Sequence, residues 1–172
     1  MQLRIAGITK GSVVDGPGLR TVIFVQGCPH NCPGCHNTDT HDPEGGYAAD
    51  VDEIFSDIAA DASKNKLIRG VTFSGGEPLC QSLQLAALAA KIKDAGLNLN
   101  IITYTGYTFE ELFCKAKSQP SIKALLEYTD ILIDGRYSEK ERDLFLAYRG
   151  SRNQRLIDVR ASLEAGRAVL WE

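Results

Sequence analysis

The chain has 172 residues, 44% of them hydrophobic and 24% charged, a composition that excludes a collagen-like, disordered or membrane-embedded protein. The net charge of −3 argues against a nucleic-acid binder that works by neutralising phosphates. The longest apolar runs, Thr21–Val25 and Leu85–Ala90, fall far short of a bilayer span, and no long apolar segment follows Met1, so a cytosolic chain with one domain, residues 1–172, is expected.

Thr21–Val25 is an unbroken run of β-branched and aromatic residues, the pattern of a strand covered on both faces. Asp50 and Glu53 have capping-box spacing, and Val51, Ile54, Phe55, Ile58, Ala59 and Ala62 then share one helical face. Val71–Phe73 predicts the next strand. Leu85, Leu88, Ala89 and Ile92 mark a second helix that Gly96 ends. Leu99–Tyr104 reads as a strand, Thr108 with Glu111 as a capping box before Leu112 and Phe113, and Pro120 as the start of a helix carrying Ile122, Leu125 and Leu126. Ile131–Asp134 is the last predicted strand. Late in the chain Arg149, Arg152, Arg155 and Arg160 gather, either as partners for carboxylates of the same chain or as a docking surface for an acidic partner.

Strands alternating with helices imply an α/β fold built from right-handed βαβ units. A closed eight-stranded barrel takes about 250 residues. An open, partial (βα) barrel is therefore expected, with a mainly parallel sheet of about five or six strands and the site at the strand C-termini.

Three of the five cysteines fall within one loop, Gln26-Gly-Cys28-Pro-His-Asn-Cys32-Pro-Gly-Cys35-His-Asn37, directly after the first predicted strand. For a chain expected in the cytosol, free thiols rather than a disulfide framework are expected here. Thiolates suit iron–sulfur clusters and zinc. With no fourth cysteine nearby, a [4Fe–4S] cluster on Cys28, Cys32 and Cys35 would leave one iron open to a ligand. Structural zinc, with His30, His36 or His41 completing the set, is equally open on the cysteines alone. Cys80 and Cys114 read as small hydrophobic core residues.

Ser74-Gly-Gly-Glu-Pro78 follows the Val71–Phe73 strand. Its two glycines let main chain approach a ligand closely, although an ordinary strand-to-helix turn has the same composition. Its position one βα unit after the cysteine loop puts both at one sheet edge.

The three-cysteine loop followed by Gly-Gly-Glu-Pro resembles the radical S-adenosylmethionine (SAM) superfamily. The resemblance implies Cys28, Cys32 and Cys35 as ligands of a [4Fe–4S] cluster. It implies Gly75, Gly76 and Glu77 as contacts of the methionine part of SAM, and places Gly34 and His36, with Cys35, beside the nucleotide. Val14-Asp-Gly-Pro-Gly-Leu-Arg20, Cys35-His-Asn37, Asp134-Gly-Arg-Tyr137 and the Tyr148–Val159 tail are similar to the activating enzymes of glycyl-radical enzymes, most of all to the group acting on anaerobic ribonucleoside-triphosphate reductase. That implies reduction of the cluster by a flavodoxin- or ferredoxin-type donor, cleavage of SAM to a 5′-deoxyadenosyl radical, and abstraction of hydrogen from a glycine of the reductase's glycyl-radical subunit. No nucleic acid or membrane is implied as a partner. Many superfamily members carry an aromatic residue where Gly34 stands, so adenine is expected to stack elsewhere. Two other readings remain at this point: a radical SAM enzyme acting on a small molecule, such as a carboxy-deazaguanine synthase, and a zinc-binding structural module.

Overall fold

The computed structural model describes residues 1–172. Seven strands form one sheet: β1 (Gln2–Ser12), β2 (Leu19–Val25), β3 (Tyr47–Asp50), β4 (Ile68–Gly75), β5 (Asn100–Tyr104), β6 (Ile131–Asp134) and β7 (Arg155–Asp158). Their order is β3-β1-β2-β4-β5-β6-β7. The four central strands β2, β4, β5 and β6 run parallel, and antiparallel strands extend both ends. The outermost strands, β3 and β7, do not pair with each other, so the sheet is open. The four predicted strands are the parallel centre; β1, β3 and β7 raise the count above the expected five or six.

Five α-helices accompany the sheet: α1 (Val51–Lys64), α2 (Ser82–Asp94), α3 (Phe109–Lys115), α4 (Pro120–Tyr128) and α5 (Val159–Ala165). One continuous core joins Leu3, Ile23, Phe73, Ile101 and Leu132 of the strands to Ile54, Leu85, Leu88, Leu112 and Leu125 of the helices. A small second cluster, Ile102, Ile131 and Ile133, lies apart from it and is packed by Tyr104, Tyr148 and Leu156. The central strands are thus buried on both sides, as their unbroken apolar runs require.

The helix ends follow the sequence with one difference. Thr108 and Glu111 form the full reciprocal box, Pro120 opens α4, and Gly96 turns away after α2 at φ 63°. Asp50 caps α1 through Asp52 N–H at 2.8 Å, but its other carboxylate oxygen takes the Met1 ammonium and Gln2. The expected box with Glu53 is replaced by this tie between the N-terminus and β3. Thr108→Ala is expected to lower stability by about 1 kcal/mol, read as a lower urea midpoint with unchanged slope.

The late arginines divide. Arg155 on β7 donates to buried Asp134 at 3.0 and 2.5 Å and to Glu110 at 3.2 and 2.7 Å, and these bonds raise its pKa and lower that of Glu110. Arg160 pairs with Glu164. Arg155 is therefore committed within the fold, whereas Arg160 stays exposed in a weak surface pair. Arg149 instead lines the cavity described next.

Candidate cluster and cofactor site

The C-terminal ends of the parallel strands converge on a cavity of about 570 Å³. Main-chain hydrogen bonds fix its floor. Gly27 N–H donates to Thr40 and Cys28 N–H to His41, which folds the segment after the cysteines back onto the end of β2. Gly76 N–H donates to Val25 and Glu77 N–H to Gly27, each at 2.8 Å, tying the turn after β4 to the same strand end. Gly75 stands at φ 94°, and a Cβ there would lie 2.7 Å from Val25 main-chain atoms. The glycine pair therefore permits close approach of two strand ends as well as access to the cavity.

Cys28, Cys32 and Cys35 all line this cavity, and all three are free thiols. The loop curls through left-handed backbone at Asn31 (φ 47°) and Gly34 (φ 73°). Asn37 N–H points at Cys35 Sγ, 3.4 Å away. Burial pushes the Cys28 and Cys32 thiols above the usual cysteine range. His36, Gly75 and Gly76 line the same cavity, as do Asp15, Tyr104, Thr105 and Arg149.

Two predicted residues lie elsewhere. Glu77 is completely buried behind the cavity wall. Its Oε1 accepts from Leu79 N–H at 3.0 Å and Thr105 Oγ1 at 2.9 Å. Its Oε2 accepts from Gly106 N–H at 2.8 Å and His30 Nε2 at 2.6 Å. Gly34 also lies outside the lining; a Cβ there would meet Tyr137 at 3.3 Å. Tyr137, which does line the cavity, occupies that space and meets His36 edge-on at 5.8 Å. An aromatic ring thus stands beside the third cysteine although the sequence has glycine before it. Cys80 and Cys114 are both exposed rather than core residues. Arg20, close to the cysteine loop in sequence, is wholly buried and shapes the strands instead.

His30 Nε2 is committed to Glu77, so His30 is not free to complete a zinc site. Three thiols lining one cavity with no fourth cysteine in its wall suit a cuboidal cluster with one iron left open. Val13 and Val14, which line the cavity, are 64% and 72% exposed at its mouth. No helix is long and apolar enough to cross a membrane.

A family model described as a 4Fe-4S single cluster domain matches residues 14–157. The anaerobic ribonucleoside-triphosphate reductase-activating protein of Vibrio cholerae serotype O1 is 37% identical over 145 residues, covering 83% of this chain and 89% of that protein. Its namesake from Enterobacteria phage T4 is 35% identical, covering 83% of this chain and 86% of that protein. The crystal structure of QueE from Escherichia coli overlaps 63% of this chain and 54% of that chain, at 21% identity and a TM-score of 0.48. With a match that runs from the turn after β1 into β7, and relatives aligned over most of both chains, the protein belongs to the 4Fe-4S single cluster domain family, among the anaerobic ribonucleoside-triphosphate reductase-activating proteins.

Proposed function

We propose that this chain, acting as one domain, cleaves SAM reductively at a [4Fe–4S] cluster held by Cys28, Cys32 and Cys35, and so generates a glycyl radical on an anaerobic ribonucleoside-triphosphate reductase. The observation that carries the reading is the set of three free thiols, without a fourth cysteine, around one cavity at the strand C-termini. When bound, the cluster and SAM supply the one-electron cleavage of the C5′–S bond, which gives methionine and a nucleoside radical able to abstract hydrogen; a flavodoxin- or ferredoxin-type protein supplies the electron.

The chain's own residues position and enclose. Gly75 and Gly76 offer main-chain polar groups for the amino-acid end of SAM, while Tyr137 and His36 offer ring faces and edges for the nucleoside. Glu77 supports this wall from behind. Hydrogen-atom abstraction needs no general base, so no Ser–His or paired-carboxylate arrangement is required. Water must be kept from the reactive species. The exposed apolar side chains at the mouth suit closure by a protein surface rather than by solvent.

The test is anaerobic reconstitution with iron and sulfide, followed by dithionite and SAM. The expected result is 5′-deoxyadenosine and, with the reductase present, a glycyl-radical EPR signal. A colourless protein that takes up only zinc and leaves SAM intact would overturn the reading. So would turnover of a small substrate with no radical on the reductase.

A further inference from the structure

We propose that His30 and Glu77 form a latch that sets the cysteine loop in register with the Gly75–Gly76 turn, so that one buried hydrogen-bonded pair couples the two halves of the cofactor site. The functional consequence rests on the SAM reading above; the latch itself rests on geometry.

His30 lies between two of the cysteines and Glu77 directly follows the glycine pair. Their side chains are 4% and 0% exposed, and Nε2 stands 2.6 Å from Oε2. Within Cys28–His36, the His30 side chain bonds directly to Glu77 outside the loop. Its ring is further held edge-on against Tyr107, with centroids 4.6 Å apart.

The Glu77 carboxylate is fully used. Leu79, Thr105, Gly106 and His30 supply four donors, matching the roughly four acceptor positions of a carboxylate. No lysine or arginine pairs with it. A buried carboxylate so saturated has nothing left for a ligand, and losing one donor would leave a strongly disfavoured orphan. Glu77 is therefore a positioning residue. Its bonds reach the cysteine loop through His30, the β5 tip through Thr105 and Gly106, and the start of the next helical turn through Leu79. Any shift of the cysteine loop must move the turn with it.

Three variants test this: His30→Ala, His30→Gln, whose amide nitrogen can reach the place of Nε2, and Glu77→Gln. In the cluster-free chain, hydrogen exchange at the Glu77 and Gly106 amides is expected to quicken in His30→Ala and to return toward wild type in His30→Gln. After anaerobic reconstitution, His30→Ala is expected to keep its iron and sulfide content, because all three thiols remain. Its SAM dissociation constant, from equilibrium dialysis, is expected to rise by about 10- to 100-fold, with most of the loss recovered in His30→Gln. Glu77→Gln, which loses one acceptor oxygen, should fall with His30→Ala. Unchanged exchange and unchanged SAM affinity in His30→Ala would overturn the latch. So would a folded His30→Gln protein as impaired as His30→Ala in both measurements. A wild-type protein that loads its cluster but binds no SAM would instead sink the functional reading, while the exchange data would still judge the latch.

Discussion

Replacing Cys32 with alanine is expected to reduce 5′-deoxyadenosine formation to the background seen without protein, whereas Cys114→Ala should leave it nearly intact. The contrast follows from placement. Cys32 is one of three thiols around the cavity and has no substitute. Cys114 is exposed on α3 and does not line the cavity, and surface substitutions away from such sites cost within about 0.5 kcal/mol. Cys80 does not line the cavity; it sits in a neighbouring hollow that it shares with Cys28 but not with Cys32 or Cys35, and partial desolvation with Glu77 and Cys28 nearby pushes its thiol up to about 11. Iron content should fall together with activity, because two thiolates hold a cuboidal cluster poorly. Full SAM cleavage by Cys32→Ala would refute the ligand assignment.

The second large effect is on stability. Arg20→Ala is expected to cost at least about 3 kcal/mol, a large share of the roughly 5–15 kcal/mol that holds a domain folded. Arg20 is wholly buried yet meets no carboxylate. Its guanidinium donates to Thr72 Oγ1 at 2.7 Å, Pro17 O at 3.0 Å, Asn100 Oδ1 at 2.6 Å and Val71 O at 2.8 Å. Burial pulls its pKa down to about 10, so it remains charged at neutral pH. Alanine leaves these acceptors unpaired and opens a void between β2, β4 and β5. Arg20→Met fills much of the void but supplies no donors, so it should recover only the packing part. Urea midpoints of both variants measure the division; a loss below about 1 kcal/mol in Arg20→Ala would mean that the buried charge costs nearly what its bonds return.

How much of this was legible in the sequence depended on what each element needs from the rest of the chain. The strands β2, β4, β5 and β6 declared themselves because burial on both faces leaves an unbroken apolar run. β1 did not: Gln2–Ser12 mixes polar and apolar residues, and irregular pairing with β2 between Ile5 and Gly7 and between Lys10 and Ser12 breaks its alternation. β3 and β7 have four residues each, and the ends of β7 are spent on an ion pair by Arg155 and a helix cap by Asp158. Such strands exist through pairing, which local pattern does not record.

The site divides in the same way. The cysteine spacing and the glycine pair are local features, and both read correctly as lining one edge. Glu77 could not be placed from its motif, because its partners His30 and Thr105 lie 47 and 28 residues away. Tyr137 was quoted as part of a family-like stretch, but its position against Gly34 exists only once β6 is seated beside β5.

All three candidate thiols come from one surface loop, and none belongs to the continuous apolar core. The scaffold can accordingly assemble before iron arrives, and loss of the metal centre to oxygen need not be fatal to the polypeptide. The cluster-free chain is therefore expected to stay folded and to take up iron and sulfide again on anaerobic reconstitution, with far-UV circular dichroism unchanged by removal of the metal.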